Sequence, residues 1–140
     1  MNKNCCRLNL RSTYFDSPHG LMNPQSRSTA LDVAKLSAIC MEDKRFSKIV
    51  ATRYYVILKK PDVNNNKRTY RWENTNKLLD QPGVSGIKTG ITNNAGPCLA
   101  TAISPDENCQ LIIVLLACKN VESRWSETLK LAKWTRKRLS

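Results

Sequence analysis

A chain of 140 residues, 41% of them hydrophobic, is long enough for one domain or a substantial piece of one, and too apolar for disorder throughout. Its 23 Lys and Arg against 11 Asp and Glu give a formal charge of +12, which favours anionic partners such as nucleic acid, an anionic lipid surface or an acidic polymer without choosing among them. Six cysteines with no C-x-x-C spacing and a single histidine, His19, argue against a zinc site, and no apolar run reaches the length of a membrane span.

In chain order, residues 1–28 read as loop, with Pro18-His19-Gly20 and Asn23-Pro24 supplying turn chemistry. The first twenty residues hold no apolar h-region, so as written the chain is expected to stay in the compartment where it is made. Thr29 followed by Asp32 resembles a capping box and predicts a helix through about Met41, with Leu31, Ala34, Leu36 and Ile39 as an imperfect apolar face. A second short helix is expected over 46–51. Residues 53–58 and 68–72, joined by a polar turn over 61–67, read as a hairpin.

Strands are expected over 86–91, 98–103 and 110–118, the last two joined by a turn at 104–108. The run from Leu111 to Cys118 is continuously apolar, the pattern of a strand covered on both faces. Cys98 and Cys118 sit in these runs as small hydrophobes. From Val121 onward, Val121, Trp125, Leu129 and Ala132 recur at helical spacing and form one stripe. Helices first, then antiparallel strands, then a closing helix predict an α+β fold: an antiparallel sheet with the C-terminal helix packed on it. The basic residues Lys130, Lys133, Arg136, Lys137 and Arg138 read as a solvated helix face. Trp125 and Trp134, nine positions apart, can both face a core, so nucleic-acid binding is not favoured.

Lys88-Thr89-Gly90 places a cation, a hydroxyl and a residue without a side chain consecutively on a predicted strand, a suitable wall for holding a carboxylate and an acyl group. Four blocks surround it in order: Thr13-x-Phe15-x-x-Pro18-His19-Gly20-Leu21, Ser28-Thr29-Ala30-x-Asp32, Asn74-Thr75-Asn76-Lys77-Leu78-Leu79, and Gly83-Val84-x-Gly86-Ile87-Lys88-Thr89-Gly90-x-Thr92-x-x-Ala95-Gly96-x-Cys98-Leu99. Together they resemble the serine-type D-alanyl-D-alanine carboxypeptidases (peptidase family S11), the low-molecular-weight penicillin-binding proteins, over essentially the whole chain.

That resemblance implies a β-lactamase/transpeptidase-like fold. It also implies an acyl-enzyme reaction that removes the terminal D-alanine of peptidoglycan stem peptides, inhibition by β-lactams, and no metal or cofactor. The family carries S-x-x-K, S-x-N and K-T-G, and only the third stands here in its setting. Ser85-Gly86-Ile87-Lys88 matches S-x-x-K formally, but that chemistry needs serine and lysine one helical turn apart, and a strand sends them to opposite faces. No S-x-N occurs. The expectation is therefore that residues 1–140 are the C-terminal part of a penicillin-binding/transpeptidase-like peptidase domain, with the nucleophile half upstream. Full-length family members are usually exported; oligomeric state is left open.

By resemblance, Lys88 supplies positive charge beside the nucleophile as the catalytic member. Thr89 hydrogen-bonds the substrate's terminal carboxylate, Gly90 admits the substrate backbone, and the Ile91 amide is an oxyanion-hole donor. Arg124 stands near the carboxylate-binding end, though an ion pair with Glu122 or Glu127 explains it as well. His19 reads as a hydrogen-bonded turn residue, and Asn74 and Asn76 as holders of loop backbone. A catalytically inactive remnant and a basic binding module are the alternatives.

Overall fold

The computed structural model describes residues 1–58, 69–106 and 109–139. Three strands form an antiparallel sheet: β3 (Lys88–Thr92), β4 (Gly96–Asp106) and β5 (Cys109–Leu115), in the order β3-β4-β5. Helix α2 (Ala30–Glu42) packs on β4 and β5, and so does the C-terminal helix α4 (Ser123–Leu139). This is the expected α+β arrangement. A separate hairpin, β1 (Tyr54–Leu58) with β2 (Thr69–Glu73), pairs Tyr55 with Trp72 and exposes all ten of its residues. The turn expected over 61–67 lies outside the described residues.

Several local expectations are corrected. Residues 1–28 contain a helix, α1 (Asn2–Arg7), and its one buried residue is Cys5. The Thr29 side chain accepts from the Asp32 amide at the head of α2, but the return bond of a capping box is absent. The Asp32 carboxylate instead accepts from the Ser12 amide and the Thr13 hydroxyl, which ties the N-terminal segment to α2. The buried face of α2 therefore carries Asp32 and Ser37, while Leu31 and Ile39 are exposed. The second helix, α3 (Lys44–Val50), starts earlier than expected because Asp43 caps it, accepting from the amides of Arg45 and Phe46.

Strand β4 continues to Asp106, so Ser104 to Asp106 belong to it and not to a turn. β5 ends at Leu115, short of the expected Cys118, and lies at the sheet edge; Ile113 is buried, and Leu111, Ile112, Val114 and Leu115 are half-buried. Helix α4 also sits at a different rotation from the apolar stripe. Its buried residues are Arg124, Trp125 and Thr128, with Leu129 and Leu131 exposed on either side, and Trp134 is 54% exposed beneath the Arg138 guanidinium.

The core is Leu78, Leu99 and Trp125, with Val84 packed against it. Each such side chain contributes about 1.5–3 kcal/mol on burial. Gly86, just before β3, has φ +106°, and an added Cβ would fall 2.6 Å from Val50 Cγ2. Only glycine lets this backbone pass so close to the end of α3.

Candidate active site

The edge strand β3 borders an open groove of about 830 Å³. Residues 19–23 also line it, with Thr75, Cys98 and Arg124. All five predicted site residues, Lys88, Thr89, Gly90, Ile91 and Arg124, line this one groove. An edge strand leaves alternate backbone N–H and C=O groups unpaired, so β3 can offer an amide to a ligand lying alongside it.

Two cations face the groove, and no Asp or Glu among the described residues lines it. Its field therefore selects anions. The Lys88 Nζ reaches its neighbour's carbonyl at Thr89, and no carboxylate pairs with it among the described residues. Arg124 is only 7% exposed. Its Nη1 donates to the carbonyls of Gly90 and Cys98 at 3.3 and 3.4 Å, and its guanidinium lies 4.2 Å from the centre of the Trp125 ring. Its Nε is buried without a hydrogen-bond partner.

The ion-pair alternatives for Arg124 do not form: Glu122 binds Lys77 at 2.9 Å and Glu127 binds Lys130 at 2.7 Å. With no carboxylate partner among the described residues, the buried guanidinium keeps its net charge for an anion that enters the groove.

Gly90 stands in the open part of the groove, where an added Cβ would meet nothing within 4 Å. The Ile91 side chain is 60% exposed. His19 accepts at Nδ1 from the Leu21 amide at 3.0 Å, the expected turn role, and residues of this turn line the groove. Ser85 donates its amide to Ala102 and does not line the groove, in agreement with dismissing it as a nucleophile. All six cysteines are free thiols. Burial pushes the Cys118 thiol above its ordinary value, and neighbouring Cys98 adds to the effect while Arg124 opposes it.

Sequence reasoning overlooked Thr75. Its hydroxyl lies 2.6 Å from that of Thr89. The signal was the Asn74-Thr75-Asn76 block itself, since both flanking asparagines do hold backbone. Asn74 Nδ2 donates to the carbonyls of Val50 and Thr52, and Asn76 Nδ2 donates to Gly86 at 2.9 Å.

With this arrangement established, residues 1–120 match the family of D-alanyl-D-alanine carboxypeptidases, peptidase S11. The chain belongs to that family. It is 31% identical to the D-alanyl-D-alanine carboxypeptidase DacA of Haemophilus influenzae over 96% of its own length and 32% of that protein's. It is 34% identical to DacC of Escherichia coli, again over 96% and 32%. Among solved structures, the Streptomyces K15 DD-transpeptidase superposes with a TM-score of 0.85 at 30% identity, over 95% of this chain and 51% of that one. Penicillin-binding protein D2 of Listeria monocytogenes, in its cefotaxime-bound form, gives 0.76 at 26% identity, over 94% and 51%. The chain thus spans about a third of the length of these two carboxypeptidases and half of these solved structures. Among the described residues no helix is long and apolar enough to cross a membrane.

Proposed function

We propose that this chain carries the substrate-binding wall of a serine-type D-Ala-D-Ala carboxypeptidase site. The serine of S-x-x-K and the S-x-N motif would come from sequence outside these 140 residues. The observation that carries the proposal is the convergence of Lys88, Thr89, Gly90 and the buried Arg124 on one groove that no carboxylate of the described residues lines.

The substrate is a peptidoglycan-type stem peptide ending in D-Ala-D-Ala, laid along the free edge of β3. Thr89 donates its hydroxyl to the terminal carboxylate, with Arg124 supplying charge behind it. Gly90 leaves room for the peptide backbone. The serine attacks the penultimate carbonyl and expels D-alanine; water then releases the shortened peptide from the acyl-enzyme. The Ile91 amide is one donor to the oxyanion, and Lys88 stabilises negative charge in the transition state. A β-lactam would occupy the same groove. The outer edge of β5, which pairs with no strand among the described residues and carries half-buried apolar residues, suits a further strand from the nucleophile-bearing part.

The test is acylation by a fluorescent penicillin. The chain alone is expected to bind without forming a covalent adduct. Joined behind the nucleophile half of the Streptomyces K15 enzyme, it is expected to give an adduct that Lys88→Ala abolishes. Labelling of the chain alone, or a folded hybrid that resists labelling, would overturn the reading.

A further inference from the structure

We propose that Thr75 is a positioning residue of this groove: its hydroxyl donates to Thr89 Oγ1 and so turns the Thr89 proton toward a bound carboxylate. This rests on the carboxylate-binding role of Thr89 proposed above.

The backbone on either side of Thr75 is clamped. The Asn74 amide donates to Arg53 at 2.7 Å, and its side chain holds Val50 and Thr52 at 3.2 and 3.1 Å. The Asn76 amide returns to Asn74 Oδ1 at 3.0 Å. The buried Asn76 side chain links the Leu78 amide to the Gly86 carbonyl, just ahead of β3. Thr75 and β3 are therefore held in one frame, and the 2.6 Å contact between the two hydroxyls follows from that frame.

Each hydroxyl owns one proton and can accept at its lone pairs. Among the described residues, neither hydroxyl has another hydrogen-bond partner. One of the two must donate into the other. If Thr89 donated, it would turn lone pairs toward the groove and repel an anion. If Thr75 donates, the Thr89 proton is free, and its bond to an anion is strengthened by the bond it accepts. A carboxylate in the groove selects the second arrangement. Lys88 and Arg124 attract any anion, whereas the polarised pair of threonines offers a directed donor at one point.

The experiment follows binding of N-acetyl-D-alanyl-D-alanine and of its C-terminal amide to the full 140-residue chain by NMR titration. The unsubstituted chain should prefer the acid. Thr75→Val should weaken acid binding about 3- to 10-fold, the worth of one hydrogen bond, and leave amide binding unchanged. Thr75→Ser should restore the preference. Thr75→Ala is measured beside valine, so that a packing fault of the branched side chain is distinguishable. With Thr89→Val already present, Thr75→Val should add nothing. An unchanged preference in Thr75→Val and Thr75→Ala, or an equal loss for acid and amide, would overturn the positioning role and leave the proposed function standing. No preference for the acid in the unsubstituted chain would remove the role of Thr89, and that of Thr75 with it.

Discussion

Gly90→Ala separates a glycine kept for folding from one kept for a ligand. Gly90 lies inside β3 opposite Cys98, and its φ is outside the left-handed region. An added Cβ meets nothing within 4 Å. The protein itself has no use for the missing side chain, so alanine should stabilise the fold by about 0.4–1 kcal/mol by restricting the unfolded chain. The new methyl would project where the substrate backbone is proposed to lie. Forcing a methyl into occupied space costs about 1–3 kcal/mol, roughly a 5- to 150-fold loss of affinity. Urea denaturation and NMR titration with N-acetyl-D-alanyl-D-alanine on the same sample measure both quantities. A loss of stability, or affinity unchanged by the methyl, would refute the reasoning.

Arg124→Met should alter stability by less than about 1 kcal/mol, because two long hydrogen bonds and the ring contact are offset by the desolvation of a cation without a counter-ion. The same variant should bind the peptide carboxylate about 10- to 100-fold more weakly, the worth of a charged hydrogen bond; urea denaturation and the peptide titration check the two effects. Gly86→Ala should destabilise by about 2–4 kcal/mol in thermal unfolding, since it combines a left-handed φ with a backbone packed on Val50. The Cys118 thiol, raised chiefly by burial, should be alkylated more slowly than the exposed Cys6 at pH 8, as read by mass spectrometry. The raised value also sets a sign for stability. The unfolded thiol ionises first as pH rises, so the Cys118 contribution is intact below its ordinary ionisation and is lost above it, and Cys118→Ala should flatten that alkaline loss.

The groove was legible in the sequence where its parts are contiguous. Lys88, Thr89, Gly90 and Ile91 follow one another on a strand, and strand geometry carries a linear motif into space directly. The β3-β4-β5 order was equally accessible, since short turns between apolar runs force antiparallel neighbours. Contacts that depend on tertiary approach were less accessible. The hydroxyls of Thr75 and Thr89 meet across fourteen residues, and nothing in the spacing announces it. Helical phase failed in α2 and α4 for a shared reason. Asp32, Arg124 and Thr128 are polar residues with internal hydrogen bonds or site contacts, so they occupy buried faces that a hydrophobic stripe would assign to Leu31, Ile39 and Leu129.

The most direct measurement is chemical-shift mapping of N-acetyl-D-alanyl-D-alanine on the isotope-labelled 140-residue chain. The account predicts saturable shifts at Thr75, along β3 and at the Arg124 side chain, with the exposed β1–β2 hairpin silent. Saturable shifts confined to the hairpin or to the basic end of α4, or no shifts in a folded chain, would contradict it.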